Sequence, residues 1–251
     1  MRAIILAAGK GSRMGKLTQN IPKPLVNVNG KSIIERQLSS LKQNGILDII
    51  IVTGPYHEKF NFKNVVYVNN LDHKKHDTLG SLMTARDYMN DEIIITYADQ
   101  IFEEKIVKSM TEFTGDIGIA VDLDWEKNYV NRDQHPKSEA ENVLINGNEI
   151  LELRKNISEC KENEKIGECL GLMKFSRKAS KVFLDKYSEL ETSHKGKFHN
   201  APSLEKALIS DMLQELIVSG IRISPIYVSG EWCEIDTSQD LKKARKLFSS
   251  F

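Results

Sequence analysis

The sequence predicts an α/β fold built on a doubly wound, mostly parallel sheet. Short apolar runs alternate with segments of helical period through the first half of the chain, the rhythm of strand-helix-strand units. The first apolar run passes directly into a glycine-rich turn. With 251 residues and 40% hydrophobic content, the chain is long enough to bury one substantial core. A single domain over residues 1–251 is therefore expected, with residues 122–166 as an elaboration of it.

Strands are expected at residues 3–6, 49–52, 65–68, 93–97 and 117–121, and helices at 32–43, 79–88 and 103–112. Ligands in such sheets gather beyond the carboxyl ends of the strands, where the glycine turn, Gly54 and Asp99 all fall. From Asp122 the pattern loosens into polar sequence around two apolar pieces, Val143-Leu144-Ile145 and Ile150-Leu151, with Asn146-Gly147 between them as a hairpin turn. Regular structure resumes with a strand at 169–175, helices at 178–189 and 204–219, a strand at 221–228 and a final helix at 238–248. There is no internal repeat. The histidines of His73-Lys74-Lys75-His76 and of the 194–199 segment are read as parts of solvated loops rather than as metal ligands.

Composition excludes several functions. Formal net charge is zero, so no overall field attracts nucleic acid or an anionic membrane, and a phosphate ligand must be gripped locally. Cys160, Cys169 and Cys233 lack metal-binding or disulfide spacing and are read as reduced thiols. The first apolar run is too short for a leader, and no run approaches membrane-spanning length. A cytoplasmic protein is expected.

The turn itself reads Leu6-Ala7-Ala8-Gly9-Lys10-Gly11-Ser12-Arg13-Met14-Gly15, followed by Lys23-Pro24-Leu25. Gly9 and Gly11 let the backbone approach an anion, while Arg13 and Lys23 supply fixed charge for phosphates. A P-loop does not fit, because Gly15-Lys16 is followed by Leu17 and its leading glycine is absent. A dinucleotide fingerprint does not fit either: Met14 stands where Gly or Ala is needed, and Val52-Thr53-Gly54 offers no ribose-binding carboxylate. A nucleoside triphosphate is the better ligand. Asp99, at the carboxyl end of an apolar strand, is a candidate Mg²⁺ ligand. Asp236, in Trp232-Cys233-Glu234-Ile235-Asp236-Thr237 before the last helix, is the natural second one, with Thr237 or Ser238 available as N-cap. The alternative reading of Asp236 is a capping aspartate.

These residues resemble the nucleotidyltransferases that activate sugar phosphates, phosphocholine or phosphonates, and the resemblance spans nearly the whole chain. It is carried by Leu6-Ala7-Ala8-Gly9-x-Gly11-Ser12-Arg13-Met14, Pro22-Lys23-Pro24-Leu25, Asp99 and Glu234-Ile235-Asp236. It implies a Rossmann-like, GT-A-like domain with catalytic Lys23 and Arg13, a nucleotide cradle of Leu6, Ala7, Ala8, Gly9, Gly11, Ser12 and Arg13, and Mg²⁺ on Asp99 and Asp236. It also implies a base seated against Ala7-Ala8 and the Thr78-Leu79-Gly80-Ser81 turn, with Thr78, Gly80 and Ser81 as contacts.

The segment 122–141 is similar to that of cytidylyltransferases associated with phosphonate biosynthesis, and the late Trp-Cys-Glu-Ile-Asp run to that of phosphocholine cytidylyltransferases. Both imply CTP and a small phosphonate or phosphate zwitterion, with 2-aminoethylphosphonate expected first. Read from the residues, Arg132 and His135 offer donors to a phosphonate, Trp125 and Tyr129 offer faces to a cation, and Asp122, Asp124, Glu139 and Glu141 offer acceptors to an ammonium. Carboxylates outnumber aromatics there, favouring a primary amine over choline. Phosphocholine, a hydroxyalkylphosphonate and a sugar 1-phosphate stand as alternative acceptors, and a catalytically silent nucleotide-sensing subunit as the non-enzyme alternative. The reading allows a homodimer and involves neither nucleic acid nor membrane.

Overall fold

The structure is a computed structural model that describes residues 1–9 and 11–249. Lys10 of the glycine turn lies outside the described residues. In chain order the first half contains β1 (Arg2–Ala7), a small hairpin of β2 (Asn27–Val28) and β3 (Lys31–Ser32), α1 (Ile33–Gln43), β4 (Asp48–Thr53), β5 (Val66–Asn69), α2 (Thr78–Met83), β6 (Ile93–Tyr97), β7 (Gln100–Phe102), α3 (Glu104–Glu112) and β8 (Ile117–Asp122). The second half contains β9 (Glu141–Asn146), β10 (Glu149–Lys155), β11 (Glu164–Phe175), α4 (Arg177–Ser193), α5 (Ile209–Val218), β12 (Ser224–Tyr227), β13 (Trp232–Glu234) and α6 (Ser238–Leu247).

Nine of these strands form one sheet, ordered β10-β9-β11-β6-β1-β4-β5, with β8 beside β11 and β12 beside β8. The central strand β1 is parallel to both β4 and β6, and β4 to β5. Alternate residues of β1 enter opposite faces, as strand geometry requires. Ile4 and Leu6 pack with Leu79, Leu82, Phe183 and Leu213 on one side, and Ala3 and Ile5 with Leu38, Leu41, Ile106 and Met110 on the other. Helices thus cover both faces, the doubly wound plan, and the near-continuous apolar composition of β1, β4 and β6 follows from burial on both sides.

One long strand, β11, runs antiparallel to its neighbours and changes partner midway. Residues 164–168 pair with β9, and residues 172–175 pair with β6. Between them Gly171 adopts φ +67°, and a Cβ there would stand 2.4 Å from Cδ2 of Tyr97. Only glycine meets both demands at this bulge. The ladder with β8 is therefore irregular between Cys169 and Met173, beside the carboxyl end of β6. Residues 122–166 contribute two irregular turns and then β9 and β10, which extend the same sheet.

Three elements are shortened or divided relative to the sequence reading, while β11 starts five residues earlier than expected and α4 runs four residues further. The helix expected at 204–219 is divided into a single turn at Leu204–Lys206 and α5, because the carbonyls of Glu205 and Ala207 accept hydrogen bonds from the backbone N–H groups of Asp77 and Leu79 at the start of α2. Those contacts satisfy donors that a helix start leaves unpaired. The helix expected at 79–88 ends at Met83 and continues only as a 3₁₀ turn at Arg86–Tyr88. The last strand is shortened to Ser224–Tyr227, an edge strand that tolerates Pro225.

Candidate active site

The carboxyl ends of β1 and β6 open into a cavity of about 540 Å³. Its floor is built from the glycine turn. Gly11 takes φ +63°, and its carbonyl accepts a 2.7 Å hydrogen bond from Oγ1 of Thr18. Lys23 opens a 3₁₀ turn beside it and is buried. The Lys23 Nζ donates to Asp99 Oδ2 at 2.7 Å and to Asp236 Oδ1 at 2.6 Å, joining the ends of β6 and β13 across the crevice. Burial alone would lower the Lys23 pKa, but the adjacent Asp99 and Asp236 outweigh it and hold the ammonium above its ordinary range.

Asp236 meets two further side chains besides Lys23. Its Oδ2 lies 2.8 Å from Nη2 of Arg13 and 3.2 Å from Nδ1 of His135. Burial works to raise the Asp236 pKa, yet His135, Lys23 and Arg13 together keep it well below the usual carboxylate range. The helix that follows has its own cap: Thr237 Oγ1 accepts from the Asp240 N–H at 3.2 Å, and Asp240 Oδ2 accepts from the Thr237 N–H at 2.8 Å. Asp236 is therefore released from capping, and its carboxylate turns into the cavity. Asp99 Oδ1 is buried without a hydrogen-bond partner among the described residues. Asp99 and Asp236 thus form a hard-oxygen pair of the kind that suits Mg²⁺. Asp236 also belongs to a second group, with His135 and Glu234, whose ligating atoms lie within 4.8 Å of one another.

The chain matches the MobA-like NTP transferase domain over residues 3–136. It is 30% identical to a CTP:phosphoglutamine cytidylyltransferase of Campylobacter jejuni over 96% of this chain and 98% of that protein. The chain belongs to the nucleotidyltransferases. It is also 36% identical to a choline-phosphate cytidylyltransferase of Streptococcus pneumoniae, over 45% of this chain and 52% of that one. The inositol-1-phosphate CTP transferase from T. maritima shares the fold, with a TM-score of 0.75 at 20% identity over 99% of this chain and 94% of that chain.

This nucleotidyltransferase brings most of the residues singled out in its sequence onto one cavity. Leu6, Ala8, Gly9, Gly11, Ser12, Arg13, Lys23, Thr78, Ser81, Asp99, Tyr129, His135, Glu139, Glu141 and Asp236 all line it. Ala7 does not, because alternation along β1 sends its side chain to the opposite face of the sheet. Gly80 does not either; a Cβ there would stand 2.7 Å from the His76 ring, so its smallness accommodates that histidine.

Two of the acceptor candidates lie away from this cavity. Trp125 is buried beside a separate cleft, and its ring already carries Lys137 Nζ at 5.0 Å. Arg132 lies behind the crevice wall, where its Nε donates to Asp240 Oδ1 at 2.7 Å and its Nη2 to Glu234 Oε2 at 3.2 Å. A guanidinium paired with two carboxylates holds the 125–139 segment against α6 and does not line the cavity. The His73–His76 segment, expected to be solvated, instead folds over the rim, with His73 and His76 both on the cavity and their Nδ1 atoms bonded to Asn70 O and Asn70 Oδ1.

The cavity wall also contains Glu168, Glu234, Tyr97, Lys155 and Lys206, to which the sequence reading gave no role. Glu168 had a visible signal: it is an isolated acid within the apolar run Ile166-Gly167-Glu168-Cys169-Leu170. Burial pushes its pKa up to about 8. Glu234 is likewise raised, by burial and by the neighbouring Asp236 and Asp99.

The glycine turn gives a direct test of site geometry. An alanine Cβ at position 11 would stand 2.7 Å from Lys23 Cβ, in a left-handed conformation that disfavours any side chain. Gly11→Ala is expected to lower kcat about tenfold or more through displacement of Lys23, with the folded far-ultraviolet spectrum retained. Steady-state kinetics beside circular dichroism checks this.

Proposed function

We propose that the protein is a cytidylyltransferase that transfers CMP from CTP to 2-aminoethylphosphonate, with release of pyrophosphate. The observation that carries this reading is the joint lining of one cavity by cationic Lys23 and Arg13 and by half-buried Glu141 and buried Glu168. A small zwitterion needs both: positive charge for its phosphorus acid, and acceptors for its ammonium. Carboxylates outnumber aromatic rings on the wall, where Tyr97, Tyr129 and Trp232 stand while Trp125 is elsewhere, and this favours a primary ammonium over a quaternary one. Cytidylyltransferases that act on small phosphorus acids, among the relatives named above, support the nucleotide.

In this proposal the acceptor arrives largely ionised, by analogy with a phosphate second pKa of about 6, and needs no general base. A phosphonate oxygen attacks the α-phosphorus of CTP, a new P–O bond forms, and the bond to the bridging oxygen of pyrophosphate breaks. Lys23 and Arg13 offset the repulsion between two anions and hold the reacting groups in line. Asp99 and Asp236 would hold Mg²⁺, an assignment supported by the unpartnered, buried Asp99 Oδ1 and by the hard-oxygen donor set. When bound, that ion neutralises triphosphate charge and polarises the phosphoryl group. Engagement of a phosphate by Lys23 gives its ammonium an anion other than the two aspartates.

A second reading is an amino-acid phosphate acceptor of the phosphoglutamine type. It is favoured by Lys206 on the same cavity, which suits an additional carboxylate, and by the relative aligned over nearly its full length. Pyrophosphate release measured across the four nucleoside triphosphates, with 2-aminoethylphosphonate, phosphoglutamine, phosphocholine and glucose 1-phosphate as acceptors, separates these readings. CTP with 2-aminoethylphosphonate is expected to give the highest kcat/KM. Preference for phosphoglutamine replaces the acceptor with the second reading, and preference for a sugar phosphate or for another nucleotide overturns the proposal.

A further inference from the structure

We infer that Glu168, positioned by Tyr129, is the residue that recognises the acceptor's ammonium and so determines specificity for a primary amine. The inference rests on the proposed amine-bearing acceptor and deepens it. Glu168 sits on β11 just before the bulge at Gly171, in the wall of the cavity that holds Lys23. The residue is only 4% exposed, and its two oxygens are treated differently. Oε1 accepts a hydrogen bond from the Tyr129 hydroxyl, whereas Oε2 is buried with no partner among the described residues. A buried carboxylate oxygen without a donor is costly unless a ligand supplies one.

Among the described residues no cation supplies it. Arg132, the nearest guanidinium, is committed to Asp240 and Glu234 and stacks over the Tyr129 ring at 5.1 Å. Tyr129 is fixed in turn, edge-on to Trp125 at 5.7 Å and to His135 at 6.3 Å, so its hydroxyl holds Glu168 in one orientation. The other carboxylates on the wall are less suited to this role. Glu139 is paired with Lys155 at 2.6 Å, and Glu141 accepts from Ser210 at 2.7 Å. A primary ammonium has three donors and matches the unpartnered oxygen, whereas a trimethylammonium or a methyl group has none.

Glu168 faces Tyr129 from the 125–139 segment, Arg132 behind it, Glu234 on β13 and Asp122 on β8. Its elevated pKa in this setting means that an arriving ammonium also draws the carboxyl into its charged form. Acceptor binding near pH 7 should then release a proton to buffer, which Gln at this position cannot do.

The test compares 2-aminoethylphosphonate with n-propylphosphonate, in which a methyl group replaces the ammonium, using CTP in wild type and Glu168→Gln. Wild type is expected to prefer the amine. In Glu168→Gln the KM for the amine should rise about thirtyfold or more, while kcat, turnover of propylphosphonate and the KM for CTP change less than about threefold. Calorimetry in buffers of different ionisation enthalpy should show proton release on amine binding in wild type that is diminished in the variant. Retained amine preference in a Glu168→Gln enzyme overturns the inference and leaves the proposed function standing. A wild type that does not distinguish the two acceptors overturns the amine-bearing acceptor itself. Should Glu168→Gln fail to bind CTP, Tyr129→Phe replaces it; a selective rise in the KM for the amine supports the inference, and unchanged preference overturns it.

Discussion

Lys23→Ala is expected to lower turnover at least about a hundredfold, in the range of lost electrostatic stabilisers. Lys23 is buried, and its ammonium bonds both Asp99 and Asp236. Under the proposed function this ammonium serves the phosphoryl group as charge redistributes during transfer, so its loss should fall mainly on kcat. CTP affinity should change less, because the glycine turn and Arg13 remain. The same carboxylates that raise its pKa give a second expectation. The ammonium stays protonated through the neutral and mildly alkaline range, so the pH–rate profile should show no decline attributable to Lys23 below about pH 10. Steady-state kinetics with separate calorimetric titration of CTP provides both numbers. Turnover within a few-fold of wild type in Lys23→Ala would remove Lys23 from the mechanism.

Asp236→Asn is expected to be comparably severe. Its carboxylate, 2% exposed, meets Lys23 at 2.6 Å, Arg13 at 2.8 Å and His135 at 3.2 Å. The amide keeps the shape and removes the charge that gathers these groups. Breaking a buried ion pair from one side leaves charge uncompensated, a cost of about 3 kcal/mol or more. Turnover should fall about a hundredfold or more, and Mn²⁺, used as a paramagnetic stand-in for Mg²⁺, should bind more weakly. The variant also tests acid stability. The folded-state pKa of Asp236 is depressed below its unfolded value, so its contribution is fully present above about pH 4 and is lost as pH falls towards the folded value. Wild type should therefore lose stability through this acid range, and Asp236→Asn should show a shallower loss in thermal melts across the same pH series. Unchanged metal binding and turnover would exclude Asp236 as a metal ligand.

Glu168 contributes to stability with the opposite sign. Its folded pKa, about 8, lies above the ordinary glutamate value, so the folded state holds a proton that the unfolded chain has given up. Stability from this group is lost as pH rises from about 4.5 to about 8. An ammonium ligand would offset that loss, which makes the acidic wall a place where fold stability is conceded for binding.

Much of the candidate site was legible because it is encoded locally. An apolar run followed by Gly9 and Gly11 specifies a buried strand and a turn at its carboxyl end; Asp99 ends another such strand, and Asp236 precedes a capped helix. In a doubly wound sheet all three positions converge on one crevice by topology. Thr237 as N-cap was likewise readable, since capping involves residues only three apart.

The acceptor wall was not legible in this way. Arg132 and Glu168 bear opposite charges in a sequence that does not say which charge is already satisfied. That depends on Asp240, 108 positions after Arg132, and on Tyr129, 39 positions before Glu168. Only the folded chain commits the guanidinium to Asp240 and Glu234 and leaves one carboxylate oxygen without a donor. Sequence by itself determined the chemistry-bearing strand ends and the glycine turn, because strand period, glycine conformation and helix caps are short-range properties. Tertiary structure decided which charges remain available to a ligand, because neutralisation of a buried charge is a contact between distant segments.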